Sequence, residues 1–152
     1  MIDITFRRAT REDLPAIVAL LSDDALGQTR EDASLPLAQS YLDAFAAIDA
    51  DPNQYLAVVE AAGRVIGTLQ LTFLPNISRK GAWRAQIEAV RIDASVRGEG
   101  LGRRMFDWSF EQARQRGCAL VQLTSDHARE EAHRFYESLG FTAGHLGFKK
   151  AL

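Results

Sequence analysis

Between residues 96 and 104 the chain reads Val96-Arg97-Gly98-Glu99-Gly100-Leu101-Gly102-Arg103-Arg104. A strand-like run precedes this stretch and a helix-like run follows it. Glycine at every second position leaves successive backbone N–H groups uncovered by side chains and permits left-handed backbone that other residues avoid. The helix start adds unpaired amides and the positive end of its dipole, which together make an anion site. Its natural ligand is a phosphate or pyrophosphate, and Arg97, Arg103 and Arg104 add positive charge around it. Two familiar phosphate loops do not fit. A Walker A loop ends in Gly-Lys-Ser/Thr, where this chain has Gly102-Arg103. A dinucleotide fingerprint needs its third glycine at position 103, held by Arg103. It also needs an acidic residue at the end of the next strand, where Leu123-Thr124-Ser125 offers none before Asp126. The bland alternative, a glycine turn with no ligand, is disfavoured by the three arginines packed around the glycines.

Composition narrows the rest. With 152 residues, a single domain over 1–152 is expected. Such a domain hides roughly 70% of its unfolded surface, so neither disulfide nor structural metal is needed. Lys plus Arg is 18 and Asp plus Glu is 20, which is not the basic balance of a nucleic-acid binder. Cys118 is the one cysteine, which excludes an internal disulfide and a cysteine zinc site. The start, Met1 to Arg8, is charged too early for a signal-peptide core. No apolar run approaches the ~20 residues that span a bilayer. The expectation is a soluble cytoplasmic protein with no metal, no nucleic-acid partner and no membrane partner.

The hydrophobic pattern predicts the order β-α-α-β-β-β-α-β-α-β. Ile2, Ile4 and Phe6 alternate as in a half-buried strand. Thr10 is a candidate N-cap for a helix carrying Ile17, Leu20 and Leu21, and Ser22 to Asp32 reads as a loop. A second helix is expected over about Pro36 to Ala50. A hairpin follows, 55–59 and 65–71, turning at Ala62-Gly63. Residues 74–80 read as a loop. Residues 83–92 read as a strand with Ile87 and Ala89 on one face and Glu88, Val90 and Ile92 on the other. Helices are expected over about 101–116 and 129–139, with a strand at 120–124 between them. Met105, Phe106 and Trp108 are assigned to the core, Cys118 is read as a small buried hydrophobe, and Gly140 as the last helix's C′ residue. The tail, 141–152, can supply one or two strands. The class is α/β with a mixed sheet and helices on its faces.

A second block makes the glycine turn specific. Ala132-His133-Arg134-Phe135-Tyr136-Glu137-Ser138-Leu139-Gly140-Phe141 resembles A-x-x-F-Y-x-x-x-G-F, and Arg97 to Gly102 resembles R-x-x-G-x-G. Together, at this spacing, they are similar to the two signatures of the GNAT acetyltransferase superfamily. The element order agrees along the whole chain, while the specific motifs lie within 87–141. The resemblance implies a twisted mixed sheet splayed between its fourth and fifth strands, flanked by about four helices. It implies acetyl-CoA as co-substrate, its pyrophosphate on Arg97, Gly98, Glu99, Gly100, Leu101, Gly102 and Arg103, and its pantetheine arm along the backbone of Val90, Arg91 and Ile92, as in β-augmentation. It also implies a homodimer. Many family members carry asparagine three residues before the motif alanine. Here Arg129 stands there, which leaves a cofactor contact but not the asparagine's hydrogen bond.

Acetyl transfer to an amine needs a base for the ammonium and an acid for the leaving thiolate. Tyr136 sits where similar enzymes place the tyrosine that meets the sulfur, and a phenol is protonated at neutral pH. Its alternative is core packing beside Phe135 and Leu139. Glu88 is the candidate base, since glutamate is depleted in strands. Its alternative is an ion pair with Arg84 or Arg91, and Asp126 or His127 are rival bases. The backbone amide at a bulge of the fourth strand is expected to polarise the thioester carbonyl. The resemblance implies an acceptor wall around Leu26, Gly27 and Arg30, in the first helical region and a loop that also holds Asp23, Asp24, Glu31 and Asp32, together with Glu88 of the fourth strand. There acidic groups suit an amine and Arg30 suits a carboxylate or phosphate. Ser125-Asp126-His127 holds triad residue types, but neighbours in sequence do not orient one another, and no nucleophile elbow exists. The reading is an acetyl-CoA-dependent N-acetyltransferase acting on a primary amine of a small molecule. The alternatives are a CoA-sensing binding module and an enzyme for protein or peptide amines.

Overall fold

The computed structural model describes residues 2–126 and 128–152. They form two compact units, one ending at Gln122 and one running from Leu123 to Leu152. In the first unit β1 (Thr5–Arg8) is followed by α1 (Leu14–Ser22), α2 (Gly27–Arg30) and α3 (Gln39–Ala50). Then come β2 (Gln54–Ala61), β3 (Arg64–Leu74), the one-turn α4 (Ser78–Gly81), β4 (Trp83–Ile92), α5 (Leu101–Gln115) and β5 (Cys118–Gln122). The strands make one sheet in the order β1-β2-β3-β4-β5. The first three pairings are antiparallel and β4–β5 is parallel. This is the expected mixed sheet. Its parallel pair needs a crossover, which α5 supplies.

Local chemistry explains the turns. Ala62 and Gly63 have φ of 50° and 75°, the paired left-handed conformations that suit a two-residue hairpin to strand twist. Before α1, Thr10 is the N-cap of a 3-10 turn over Arg11–Asp13 and its side chain caps no amide; instead Asp13 accepts hydrogen bonds from the backbone N–H and the hydroxyl of Thr10, 2.7 and 3.2 Å. Arg7 donates to both oxygens of Asp13 at 2.7 and 3.0 Å and to Glu60 at 2.8 Å. That pairing holds the Asp13 carboxyl below the usual carboxylate range, against the opposing effect of burial.

The two sheet faces have different covers. Leu71, Phe73, Ala85 and Ile87 are buried on one face, and α5 contributes buried Met105, Phe106, Ser109 and Ala113. An ideal Cβ on Gly67 would lie 3.3 Å from both Met105 Sδ and the Arg91 carbonyl oxygen, so glycine lets α5 and β4 approach β3 closely. Trp108, half-buried, stacks on Phe6 at 4.9 Å and meets Tyr55 edge-on at 5.1 Å. On the other face Ala9, Leu14, Ile17 and Val58 form a core against which Leu37, Leu42, Phe45 and Leu56 pack. Each fully buried large side chain contributes about 1.5–3 kcal/mol of transfer free energy.

The structure departs from the sequence reading at several elements. The 22–32 segment contains a helical turn, α2, and α3 begins at Gln39 rather than near Pro36. The 74–80 loop contains α4, with Arg79 and Lys80 left-handed at φ 56° and 61°. β5 starts at Cys118, which is half-buried, and burial pushes its thiol pKa up. In the second unit α6 (Glu130–Ser138) is present and Gly140 follows it at φ 96°, but residues 141–152 form no strand. A strand exists only as half of a ladder, and residue pattern alone does not show whether a partner edge is available. No helix is long and apolar enough to cross a membrane among the described residues. Nor do three or more His, Cys, Asp or Glu side chains gather there as a metal site.

Candidate active site

The site begins with an irregularity in β4. Thr68 pairs with Arg91 and Gln70 with Glu88, so Ala89 and Val90 together oppose Leu69. Ala89 takes the extra residue at φ 55°, left-handed backbone that a bulge forces on a non-glycine residue. The expected bulge is therefore present, and it corrects the facing of the strand. Arg91, opposite Thr68, lies on the face of Glu88, while Ile92, opposite Gly67, lies on the α5 face. The strict alternation expected through to Ile92 stops at Ala89. A bulge inverts the facing of every residue beyond it.

At the same level β4 loses its outer neighbour. The parallel ladder with β5 covers Trp83 to Gln86, ending at the Gln86–Gln122 pair. From Ile87 to Ile92, β4 is paired on the β3 side alone among the described residues. Its outward N–H and C=O groups form an open edge that an extended ligand can join. This is the expected splay between the fourth and fifth strands.

That edge leads into the glycine turn. Gly98 and Gly100 take φ of 83° and 77°, and nothing lies within 4 Å of an ideal Cβ on either. Glycine is needed there for its backbone conformation, and the space above the turn is open. Gly100 is the N-cap of α5 and gives no side-chain cap to the helix, so the first-turn amides remain for a ligand. Leu101 is buried and anchors the helix start. Exposed Arg97 donates from Nε to the Ile92 carbonyl at 3.2 Å, which fixes it above the end of β4. The geometry suits a pyrophosphate and an extended arm.

The α1–α2 loop closes against the same strand. Asp24 pairs with Arg91 at 2.9 Å and Asp23 with Arg97 at 3.6 Å. Arg91 therefore has its own carboxylate and is not the partner of Glu88. Gly27 is buried. An ideal Cβ there would fall 1.9 Å from the Leu21 carbonyl oxygen, so no other residue fits without moving the loop. Leu26 and Arg30 are exposed beside it. Tyr41 of α3 ties the loop's end, donating to Glu31 at 2.9 Å and accepting from the Asp32 N–H at 3.1 Å.

Glu88 is exposed, one residue before the bulge. It forms no ion pair among the described residues, and Gln86 Nε2 donates to its Oε1. Arg84, the other suggested partner, instead donates to Gln122 Oε1 at 3.1 Å. Gln122 Nε2 donates in turn to Gln86 Oε1 at 2.9 Å. Sequence reasoning does not single out Gln86 or Gln122. The available signal is the set of polar residues at 84, 86 and 88, alternating with buried Ala85 and Ile87. Tyr136 and Arg129 belong to the second unit. Tyr136 is half-buried on α6, with ring centroids 5.8 Å from Phe135 and 6.1 Å from Phe141, and Arg129 is exposed at the helix start. Exposed Asp126 precedes His127, which lies outside the described residues.

Residues 15–141 match the model of the acetyltransferase (GNAT) family. The chain is 32% identical over 146 residues to an aminoalkylphosphonate N-acetyltransferase of Salmonella typhimurium strain LT2, covering 96% of this chain and 90% of that one. It is 38% identical over 84 residues to a glucosamine 6-phosphate N-acetyltransferase of Trypanosoma brucei brucei, about half of each chain at 55%. Among solved structures, a protein of Bacillus halodurans C-125 described as a transcriptional regulator superposes with a TM-score of 0.95 at 45% identity, covering 99% of this chain and 100% of that one. An acetyltransferase of Trypanosoma brucei gives a TM-score of 0.79 at 29% identity, covering 99% and 100%.

Proposed function

The chain belongs to the GNAT acetyltransferase family, and from that premise we propose that its acceptor is the primary amine of a small molecule that also carries a phosphonate or phosphate. The observation that carries the reading is the end of β4, where exposed Glu88, next to the Ala89–Val90 bulge, lies on an open strand edge that runs directly into an uncapped helix start. Two relatives support the acceptor class, since both are named for amines bearing a phosphorus oxyanion. Arg30, exposed at the end of α2, is the candidate partner for that anion.

Acetyl-CoA supplies the activated acetyl group as a thioester. Glu88 takes one proton from the substrate ammonium, freeing the nitrogen lone pair to attack the thioester carbon. The backbone N–H at the Ala89–Val90 bulge donates to the carbonyl oxygen as negative charge develops there. As the C–S bond breaks, Tyr136, assigned by its motif, gives its proton to the departing thiolate. The nitrogen's second proton leaves as the amide forms and restores the phenol. The balance is one N–C bond made, one C–S bond broken and one net proton released. Arg97, Gly98, Glu99, Gly100, Leu101, Gly102 and Arg103 take the pyrophosphate, with Arg129 a further contact. Val90, Arg91 and Ile92 take the pantetheine arm. The same family resemblance supports a cytoplasmic homodimer, which light scattering of the purified chain checks for its oligomeric part.

Glu88→Gln tests the base. It should lower kcat about 100-fold and flatten the pH–rate profile, with acetyl-CoA affinity retained. An unchanged profile moves the proton to Asp126, His127 or water. One observation favours a second reading, a CoA-binding module without turnover: the 45% identical protein is described as a transcriptional regulator.

A further inference from the structure

Resting on Glu88 as base, we propose that Arg84, Gln122 and Gln86 form a one-way hydrogen-bond relay that orients its carboxylate, which makes them positioning residues for amine deprotonation.

The placement follows from strand geometry. Residues 84, 86 and 88 project to one face of β4 because side chains alternate. Gln86 and Gln122 are partners on the last rung of the β4–β5 ladder, so their side chains stand side by side. The relay therefore crosses between the strands at the level where they part, and it ends one pleat further on at Glu88. Arg84, Gln86 and Gln122 are half-buried while Glu88 is exposed, so the chain runs outward from protein toward the open gap.

Its direction is fixed at both ends. A guanidinium only donates and an ionised carboxylate only accepts. Arg84 thus requires Gln122 to present Oε1, at 3.1 Å. That leaves Gln122 Nε2 to donate to Gln86 Oε1 at 2.9 Å, and Gln86 Nε2 to donate to Glu88 Oε1. Neither amide can turn over without setting donor against donor or acceptor against acceptor. Hydrogen bonds aligned in one sense polarise one another. Gln70, directly opposite Glu88, does not compete. Its Nε2 donates to Gln54 Oε1 at 2.8 Å, which also accepts from Thr72 Oγ1 at 3.0 Å. With Oε1 held, Oε2 of Glu88 accepts no hydrogen bond among the described residues and is presented for the ammonium proton.

The test uses the full chain, acetyl-CoA and 2-aminoethylphosphonate. Gln122→Glu is nearly isosteric. It keeps the bond from Arg84 but removes the donor to Gln86, which reverses the sense of the relay. It should lower kcat roughly tenfold with KM for acetyl-CoA unchanged, and Gln122→Leu should do the same. In a Glu88→Gln background neither change should cost more. A Gln122→Glu enzyme with wild-type kcat, beside a Glu88→Gln enzyme that is impaired, overturns the relay alone. A Glu88→Gln enzyme with wild-type kcat overturns the base assignment and the relay's purpose with it. Side-chain amide NMR reads the relay whatever amine is turned over. The Gln86 and Gln122 cross-peaks, identified by their loss in leucine variants, should both move in Glu88→Gln, and a stationary Gln122 signal overturns the proposal.

Discussion

Asp13 shows how one side chain holds a corner of the fold. Its carboxyl ties Arg7 of β1 to Thr10 at the entry to α1, and this holds its pKa below the usual range. A depressed folded-state pKa gives stability that is fully present above the unfolded value of ~3.9 and is lost as pH falls through the folded one. Asp13→Asn should therefore cost about 2 kcal/mol at neutral pH, with the difference from wild type closing in strong acid. Thermal melts across that range check both parts. For Tyr136 the expectation is chemical. Tyr136→Phe should lower kcat at least tenfold while acetyl-CoA affinity stays within a few-fold, because the lost proton matters only as the thiolate leaves. Measured kcat and KM separate the two. Equal turnover would return Tyr136 to a packing role beside Phe135.

β4 and the turn after it show what a strand and a loop do for function. Glu88, the glycines and the element order are all readable from residue types and spacing. A mid-strand glutamate is conspicuous, and glycine at alternate positions marks a turn whose amides are bare. The bulge is expected from the family resemblance, yet its consequence for facing is not. Ala89 carries no mark of a left-handed residue, and the alternation of Glu88, Val90 and Ile92 reads as regular strand until the register with Leu69 is known. The Gln86–Gln122 bond is likewise invisible in the sequence, because it joins residues that only the β4–β5 register brings together. Ala89→Val should cost at least about 1–2 kcal/mol, since a β-branched residue at positive φ is strained, and the strain should lower kcat with it. At the turn, Gly100→Ala should cost about 1–2 kcal/mol from backbone conformation alone, because no atom crowds its Cβ position. It should also raise KM for acetyl-CoA. Denaturant melts and initial rates distinguish these outcomes from a simple clash.

Across the first unit, the α1–α2 loop and the glycine turn share charges. Asp24 and Arg91 are partly covered, with side chains 40% and 25% exposed. Asp23 and Arg97 are 56% and 54% exposed at 3.6 Å. An exposed pair of that kind contributes little stability, so Arg97 can exchange Asp23 for a phosphate at small cost. Asp23→Asn should tighten acetyl-CoA binding by a few-fold at low salt, less at high salt, as titration calorimetry would show. We propose that this molecule transfers acetyl to a small amine bearing a phosphorus oxyanion, and free-thiol release from acetyl-CoA decides the matter. The panel is 2-aminoethylphosphonate, glucosamine 6-phosphate, their neutral counterparts, polyamines and lysine peptides. Turnover is expected with the phosphonate or phosphate amines, falling sharply for neutral counterparts and in Arg30→Ala. Bound acetyl-CoA with no thiol release from any amine would contradict it and leave a binding module. Turnover of lysine peptides alone would contradict the acceptor class.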